Sequence, residues 1–188
     1  ITVASQAKAQ SSNSLDASGS SGFTSGSQTI NGGNSFDMVF TLGASNQTTQ
    51  TVNVATATPD GVVAAINGAN LGVTAQLVAL DTSGSSYSIQ LTGQTGAESA
   101  FAISESVSEL NFTTPSGFAA ADADLTVNGV QYARATNTVD DIITGVTFEL
   151  AGATSGAATI GITGNTANAK ANIEAFVATY NDVNAQLN

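Results

Sequence analysis

The stretch Leu125-Thr126-Val127-Asn128-Gly129-Val130-Gln131-Tyr132 decides the fold class. Apolar and polar residues alternate on both sides of Asn128-Gly129, and a period of two puts one face on a core and the other in water. Asn-Gly tolerates positive φ at both central positions of a two-residue turn, so the segment predicts an antiparallel hairpin. The same alternation recurs upstream at residues 35–42, where Phe36, Met38, Phe40 and Leu42 share a face. Residues 51–54, 73–80, 87–91, 101–103, 146–150 and 159–162 read as further short strands. Glycines at 93 and 96 mark a turn between two of them, and residues 1–10 open as a strand. Residues 11–27 are rich in Ser and Gly, with only Leu15 and Phe23 as anchors, and read as a linker or long loop. Residues 115–121 read as a second junction.

Two stretches read as helix. Thr58-Pro59-Asp60 supplies a cap, a proline in the first helical position and an acidic residue at the positive end of the dipole. Val62, Val63 and Ile66 form its buried stripe, and Asn67-Gly68 its stop. From Thr166 the pattern changes to heptads. Ile173, Tyr180 and Leu187 lie seven apart, and so do Ala169, Phe176 and Val183, offset by three, with Val177 widening the seam. A helix of about 22 residues is roughly 33 Å long. No complementary heptad stretch occurs elsewhere, so the expected partner is another helix of a longer chain or of another copy.

Composition bounds the function. Apolar residues make up 41% and charged ones 9%, which suits a folded, turn-rich β protein. Three cations (Lys8, Arg134, Lys170) face 14 acidic residues, for a net charge of −11. Nucleic-acid binding needs clustered Lys and Arg to neutralise phosphates, and adhesion to an anionic membrane needs the same, so neither is expected. Cysteine and histidine are absent, which removes disulfides, thiolate metal sites and the commonest base–nucleophile pairs. The close carboxylate pairs, Asp122/Asp124 and Asp140/Asp141, read as turn and dipole charges, and calcium binding lacks EF-hand spacing. No catalytic residue, metal ligand or cofactor site is expected. The chain opens at Ile1 without Met, which suggests a fragment, and no basic-plus-apolar leader is visible in it.

Two wider patterns remain. Thr58-Pro59-Asp60-Gly61 leads to Gly72-Val73-Thr74, and Asn137-Thr138-Val139-Asp140-Asp141 leads to Gly145-Val146-Thr147. An acidic turn before a Gly-Val-Thr strand thus occurs twice, as in two related β modules. The second pattern is an ordered set of motifs: the hairpin from Ala123 to Val130, then Arg134-Ala135-Thr136-Asn137-Thr138, the Gly145–Leu150 strand, and Phe176-Val177-Ala178-Thr179-Tyr180-Asn181 on the last helix. That order resembles the bacterial flagellar filament cap family, flagellar hook-associated protein 2. Residues 58–90 resemble a module shared by cap proteins and flagellins, and residues 1–10 the strand entering the cap head.

The resemblance implies an α+β, mainly β protein with two antiparallel head domains, one inserted in the other. Residues 1–20 and 112–163 would form the basal domain, residues 21–111 the inserted distal domain, and residues 164–188 the start of a coiled-coil-like leg. It implies a homo-oligomeric ring at the filament tip that promotes flagellin folding and insertion. Flagellin and hook–filament junction proteins would be its partners, reached by the flagellar secretion system. The leg contact would use Ile173, Phe176, Val177, Tyr180, Val183 and Leu187. Contact with host mucus is not decided by the residues. The alternatives are the outer domains of a flagellin, which the Phe-Val-x-x-Tyr-Asn helix argues against, and an extracellular adhesin or glycan-binding module. Three tyrosines and no tryptophan weaken the latter.

Overall fold

The computed structural model describes residues 1–15, 22–159, 161 and 166–186. The chain divides into two units, Ile1–Ala157 and Ala158–Asn188. In chain order the first unit contains β1 (Thr2–Ser5), β2 (Ala9–Leu15), β3 (Phe36–Leu42), β4 (Thr48–Val54), α1 (Pro59–Gly68), β5 (Thr74–Ala79) and β6 (Tyr87–Thr95). These are followed by β7 (Phe101–Glu105), β8 (Asn111–Thr113), β9 (Ala123–Val127), β10 (Val130–Arg134), β11 (Thr138–Ile143) and β12 (Val146–Glu149). The second unit carries α2 (Thr166–Gln186).

All strand pairs are antiparallel, in sheets ordered β1-β9-β10, β11-β12, β5-β6-β2-β8 and β4-β3-β7. The β9–β10 hairpin turns at Asn128 (φ 51°) and Gly129 (φ 84°), the double positive φ that Asn-Gly was expected to supply. Fold class and both helices match the reading of the sequence.

Two cores form. The larger gathers the inner faces of the two bigger sheets and α1: Phe36, Met38 and Phe40 from β3, Val52 and Val54 from β4, Ile89 and Leu91 from β6, and Val62 and Ile66 from α1. The smaller gathers Val3, Ala7, Leu125, Val127, Val139, Phe148 and Leu150. The chain enters and leaves the larger core through residues belonging to the smaller one. α1 begins as its sequence requires. The Thr58 hydroxyl accepts a hydrogen bond from the Gly61 N–H at 3.1 Å, and Pro59 occupies the first turn. Gly61 is also pressed on its neighbour: a Cβ there would stand 2.0 Å from the Thr56 carbonyl oxygen.

Several expectations need correction. Residues 11–15 are not part of a loop: with residues 9 and 10 they form β2, an inner strand between β6 and β8. Their buried face is polar (Gln10, Ser12 and Ser14), so period-two apolarity could not reveal it. Ser14 compensates for its burial: its hydroxyl accepts from the Ile89 N–H, and its carbonyl accepts from the Ser88 hydroxyl. The turn expected at 93–96 begins only at Gly96, and β6 runs through Gly93, where the Phe101 ring covers the backbone. Residues 138–143 are strand β11 and not an acidic turn, so the two Gly-Val-Thr patterns follow different structures. The second lacks a proline and holds Val139, Ile142 and Ile143, β-branched residues that favour a strand. At residues 159–162, Thr159 and Gly161 are not in a strand, while Ile160 and Ile162 lie outside the described residues.

Gln10 links the two larger sheets. Its Nε2 donates to the Phe101 carbonyl at 2.7 Å, and its Oε1 accepts from the Phe101 N–H at 3.1 Å. The side-chain amide thus pairs with β7 as a neighbouring strand would. Gln10→Leu keeps the bulk and strands both Phe101 groups in a buried place. Each costs about 1–3 kcal/mol, so urea unfolding should show a loss of about 2–6 kcal/mol, whereas Gln131→Leu, at an exposed position, should stay within about 0.5 kcal/mol.

Candidate assembly surfaces

α2 carries the clearest functional pattern. Its 21 residues describe a helix of about 31 Å, and the described side chains from Lys170 onward are all exposed. Ile173 and Tyr180 are each 64% exposed, Phe176 72%, Val183 52% and Val177 48%. Their spacing of three and four brings them into one line along the helix. Leu187 lies outside the described residues, and for Ala169 only the backbone is described. Away from that line the helix is held by local pairs: Lys170 meets Glu174 at 3.6 Å, and the Thr179 hydroxyl donates to the Ala175 carbonyl. Aligned aromatic and branched side chains in water form an apolar line with the spacing that helix–helix seams use.

The carboxylates singled out in the sequence are put to structural use and do not converge. Asp122 accepts from the Ala97 N–H at 2.7 Å, capping a 3₁₀ turn (Ala97–Ser99) of the larger module from a residue beside the smaller core. Asp124 accepts from the Gln131 amide across the β9–β10 pair. Asp140 and Asp141 are neighbours on β11, both exposed, in the stretch where its pairing with β12 is irregular. Asp141 pairs with Arg134 at 2.9 Å, and that bond holds its carboxyl below the ordinary range. The Arg134 guanidinium also lies over the Tyr132 ring, 5.4 Å from its centre. Among the described residues no three acidic side chains come close enough to share an ion.

The motif Arg134-x-x-Asn137 has a role that sequence reading missed. The Asn137 Oδ1 accepts from the Ala7 N–H at 2.8 Å, and its Nδ2 donates to the Ala7 carbonyl at 3.0 Å. Asn67 does the same for Ala75, at 2.8 and 2.9 Å. With Gln10, three side-chain amides each bracket one backbone residue. Only an amide presents a donor and an acceptor side by side, as a peptide does.

A cleft of about 210 Å³ opens between β7 and β8, lined by Gln10, Ser12, Phe101, Phe112 and Thr114. Its polar groups are spent on one another: the Ser12 and Thr114 hydroxyls lie 2.6 Å apart, and the Gln10 Nε2 reaches both. Near it Glu105 is half-buried. Burial pushes its carboxyl above the ordinary glutamate range, and hydrogen bonds from the Phe112 N–H and its own N–H oppose this only in part.

No curated protein sequence matches this chain. Residues 120–188 match the family model described as flagellar hook-associated protein 2 C-terminus. Among solved structures, the D1-D2-D3 domains of the flagellar cap protein FliD from Escherichia coli resemble it with a TM-score of 0.75 at 24% identity, covering 96% of this chain and 54% of that one. FliD (HAP2) from Pseudomonas aeruginosa PAO1 gives 0.68 at 23% identity, covering 97% and 86%. The D2-D3 domains from Serratia marcescens give 0.65 at 22%, covering 82% and 86%. The chain spans about half the length of the Escherichia coli chain, and at such identities these likenesses show a shared fold: antiparallel β modules followed by a helix. The family match is a likeness of residues 120–188, the β9–β12 segment and α2, to the C-terminal part of flagellar hook-associated protein 2.

Glu105 makes the pH response testable. A carboxyl whose folded value is raised gives stability that is present at low pH and lost as pH rises through that value. Asp141, with its value lowered, behaves oppositely and loses its contribution as pH falls through the lowered value. Glu105→Gln, which keeps an acceptor for the Phe112 N–H, should therefore be at least as stable as the parent at neutral pH. In urea titrations the advantage should vanish as pH falls through the range just above ordinary glutamate values. An unchanged pH profile would contradict the burial cause.

Proposed function

We propose that this chain is the head and the beginning of the leg of a structural protein that caps the tip of the bacterial flagellar filament outside the cell. Copies assemble into a ring, and the ring promotes flagellin folding and insertion as the filament grows. The observation that carries this reading is the match of residues 120–188 to the cap family, because that segment joins the smaller core to the exposed seam of α2. Flagellin and the hook–filament junction proteins are the partners in this reading, and no chemical step is assigned. The lack of cysteine and the sparse charge suit a chain exported unfolded through the flagellar secretion system and folded outside by packing alone.

The nested cores support a distal head domain, nominally residues 21–111, inserted in a basal one of residues 1–20 and 112–163. The sheet membership of β2 and β8 favours crossings nearer residues 8–9 and 113–114. Residues 164–188 begin the leg. There Ile173, Phe176, Val177, Tyr180, Val183 and Leu187 would pack on leg helices of the complete protein.

Phe176→Ala with Tyr180→Ala, made in the complete protein, tests the assignment. Each truncation removes about 3–5 kcal/mol if the ring is buried in the assembly. The two head cores contain neither residue, so head folding should persist by circular dichroism. Ring formation by sedimentation should fail, as should motility in a cap-deleted strain. A double variant that still assembles and still restores swimming would remove α2 from the assembly contact.

A further inference from the structure

Edge strands expose unpaired backbone groups, and soluble proteins blunt them with caps, charges, bulges or short length. This head does so repeatedly. On β1, Val3 is capped on both backbone groups by Thr154: its N–H meets the Thr154 hydroxyl at 3.0 Å, and its carbonyl accepts from the Thr154 N–H at 2.9 Å. On β5, Ala75 is bracketed by Asn67, and on β7, Phe101 by Gln10. β8 has only three residues, β11 is bulged, and β10 carries Arg134, whose guanidinium caps the Ala133 carbonyl.

β4 is treated differently. It is a seven-residue edge, paired with β3 without a break in register from Thr48↔Leu42 to Val54↔Phe36. It holds no proline, charge or bulge. The pairing parity follows from Gly43, whose N–H reaches the Ala100 carbonyl on the β7 side. Residues 39 and 41 of β3 therefore face β7, and residues 36, 38, 40 and 42 face β4. On β4, the backbone of residues 48, 50, 52 and 54 turns to β3, and that of Thr49, Thr51 and Asn53 turns outward. No described group caps those three.

We propose that this edge is a self-association surface, on which β4 of a second copy pairs antiparallel about a two-fold axis at Thr51. The charge distribution selects the occupant. Copies carrying −11 repel each other, but no charged residue occurs from Met38 to Thr58, and the neighbouring Asp37 carboxylate on β3 accepts from the Asn53 side-chain amide at 2.7 Å. The edge is also complementary to itself. Thr51 pairs with Thr51 of the second copy and Thr49 with Asn53, each pair exchanging both backbone bonds, and cross-strand Thr pairs are favourable on the exposed face. Such an edge contact is small, which places it among weak, concentration-dependent associations. It is separate from α2.

The test uses the 188-residue chain carrying Phe176→Ala and Tyr180→Ala, so that association through α2 is removed, with and without a change at Thr51. Thr51→Pro deletes an outward N–H and leaves the β3 ladder intact, and Thr51→Glu sets like charges across the axis. With native Thr51, the amides of Thr49, Thr51 and Asn53 should exchange at least about tenfold more slowly at high than at low protein concentration, in step with a dimer in sedimentation. Both Thr51 variants should keep the β spectrum and stay monomeric. The proposal is overturned if those amides exchange independently of concentration, or if either variant dimerises as the parent does. It is equally overturned if protection appears only when another protein is added.

Discussion

The pairing of Gln10 with Phe101 is the constraint on which the larger module depends. Gln10 belongs to β2, inside one sheet, and Phe101 to β7, the edge of the other. The two sheets share a core on their inner faces but have no strand in common. Along this side, one side-chain amide stands in for a strand, supplying the donor and the acceptor that Phe101 would otherwise lack. The surrounding hydroxyls of Ser12 and Thr114 hold that amide in place. Because the group is buried, an unmade bond costs more than a made one gains, so the contact fixes register more than it adds net stability.

The same logic recurs at Asn67 and Asn137. A chain without cysteine must close its modules by other means, and here short polar side chains do so. Asn137 ties the second half of the smaller module back to Ala7 in the strand-to-strand passage, and the Gln6 side chain reaches the Leu150 carbonyl beside it. The two cores are joined by the same kind of bond. The Lys8 carbonyl accepts from both Gly96 and Ala121, Asp122 caps the turn after Gly96, and Gly96 itself leaves no room for a side chain, since a Cβ would stand 2.6 Å from the Ala135 Cβ. Positive φ at Gly96 (99°) permits that approach.

This explains what the sequence could and could not reveal. Strands β3, β6 and β9 were legible because Phe36-x-Met38-x-Phe40, Ile89-x-Leu91 and Leu125-x-Val127 alternate in plain apolar terms. α1 was legible because Thr58-Pro59-Asp60 is a start signal with its own chemistry, and the α2 seam because its spacing is helical. β2 was hidden because its buried face is Gln10, Ser12 and Ser14, and burial of a polar residue depends on partners far along the chain. Asp140-Asp141 misled because acidic neighbours suit a turn, while Val139 and Ile143 beside them were answering a pairing with β12. The amide brackets had no local signal at all: each couples residues whose proximity exists only after folding.

Charge then bears on how such a protein can assemble. With three cations among 188 residues, two of them already paired with Asp141 and Glu174, complementary charge cannot organise contacts between copies. Two uncharged surfaces are the ones proposed above for such contacts: the apolar line on α2 and the backbone of β4. These differ physically. The α2 line gains by removing hydrocarbon from water and tolerates some change of register. A strand edge gains only when donors meet acceptors in step, so it contributes little area but fixes geometry. If the two proposed contacts form, net repulsion between copies carrying −11 disfavours arrangements that do not use them, and acidity then acts as a selector of contacts as well as a solubilising property.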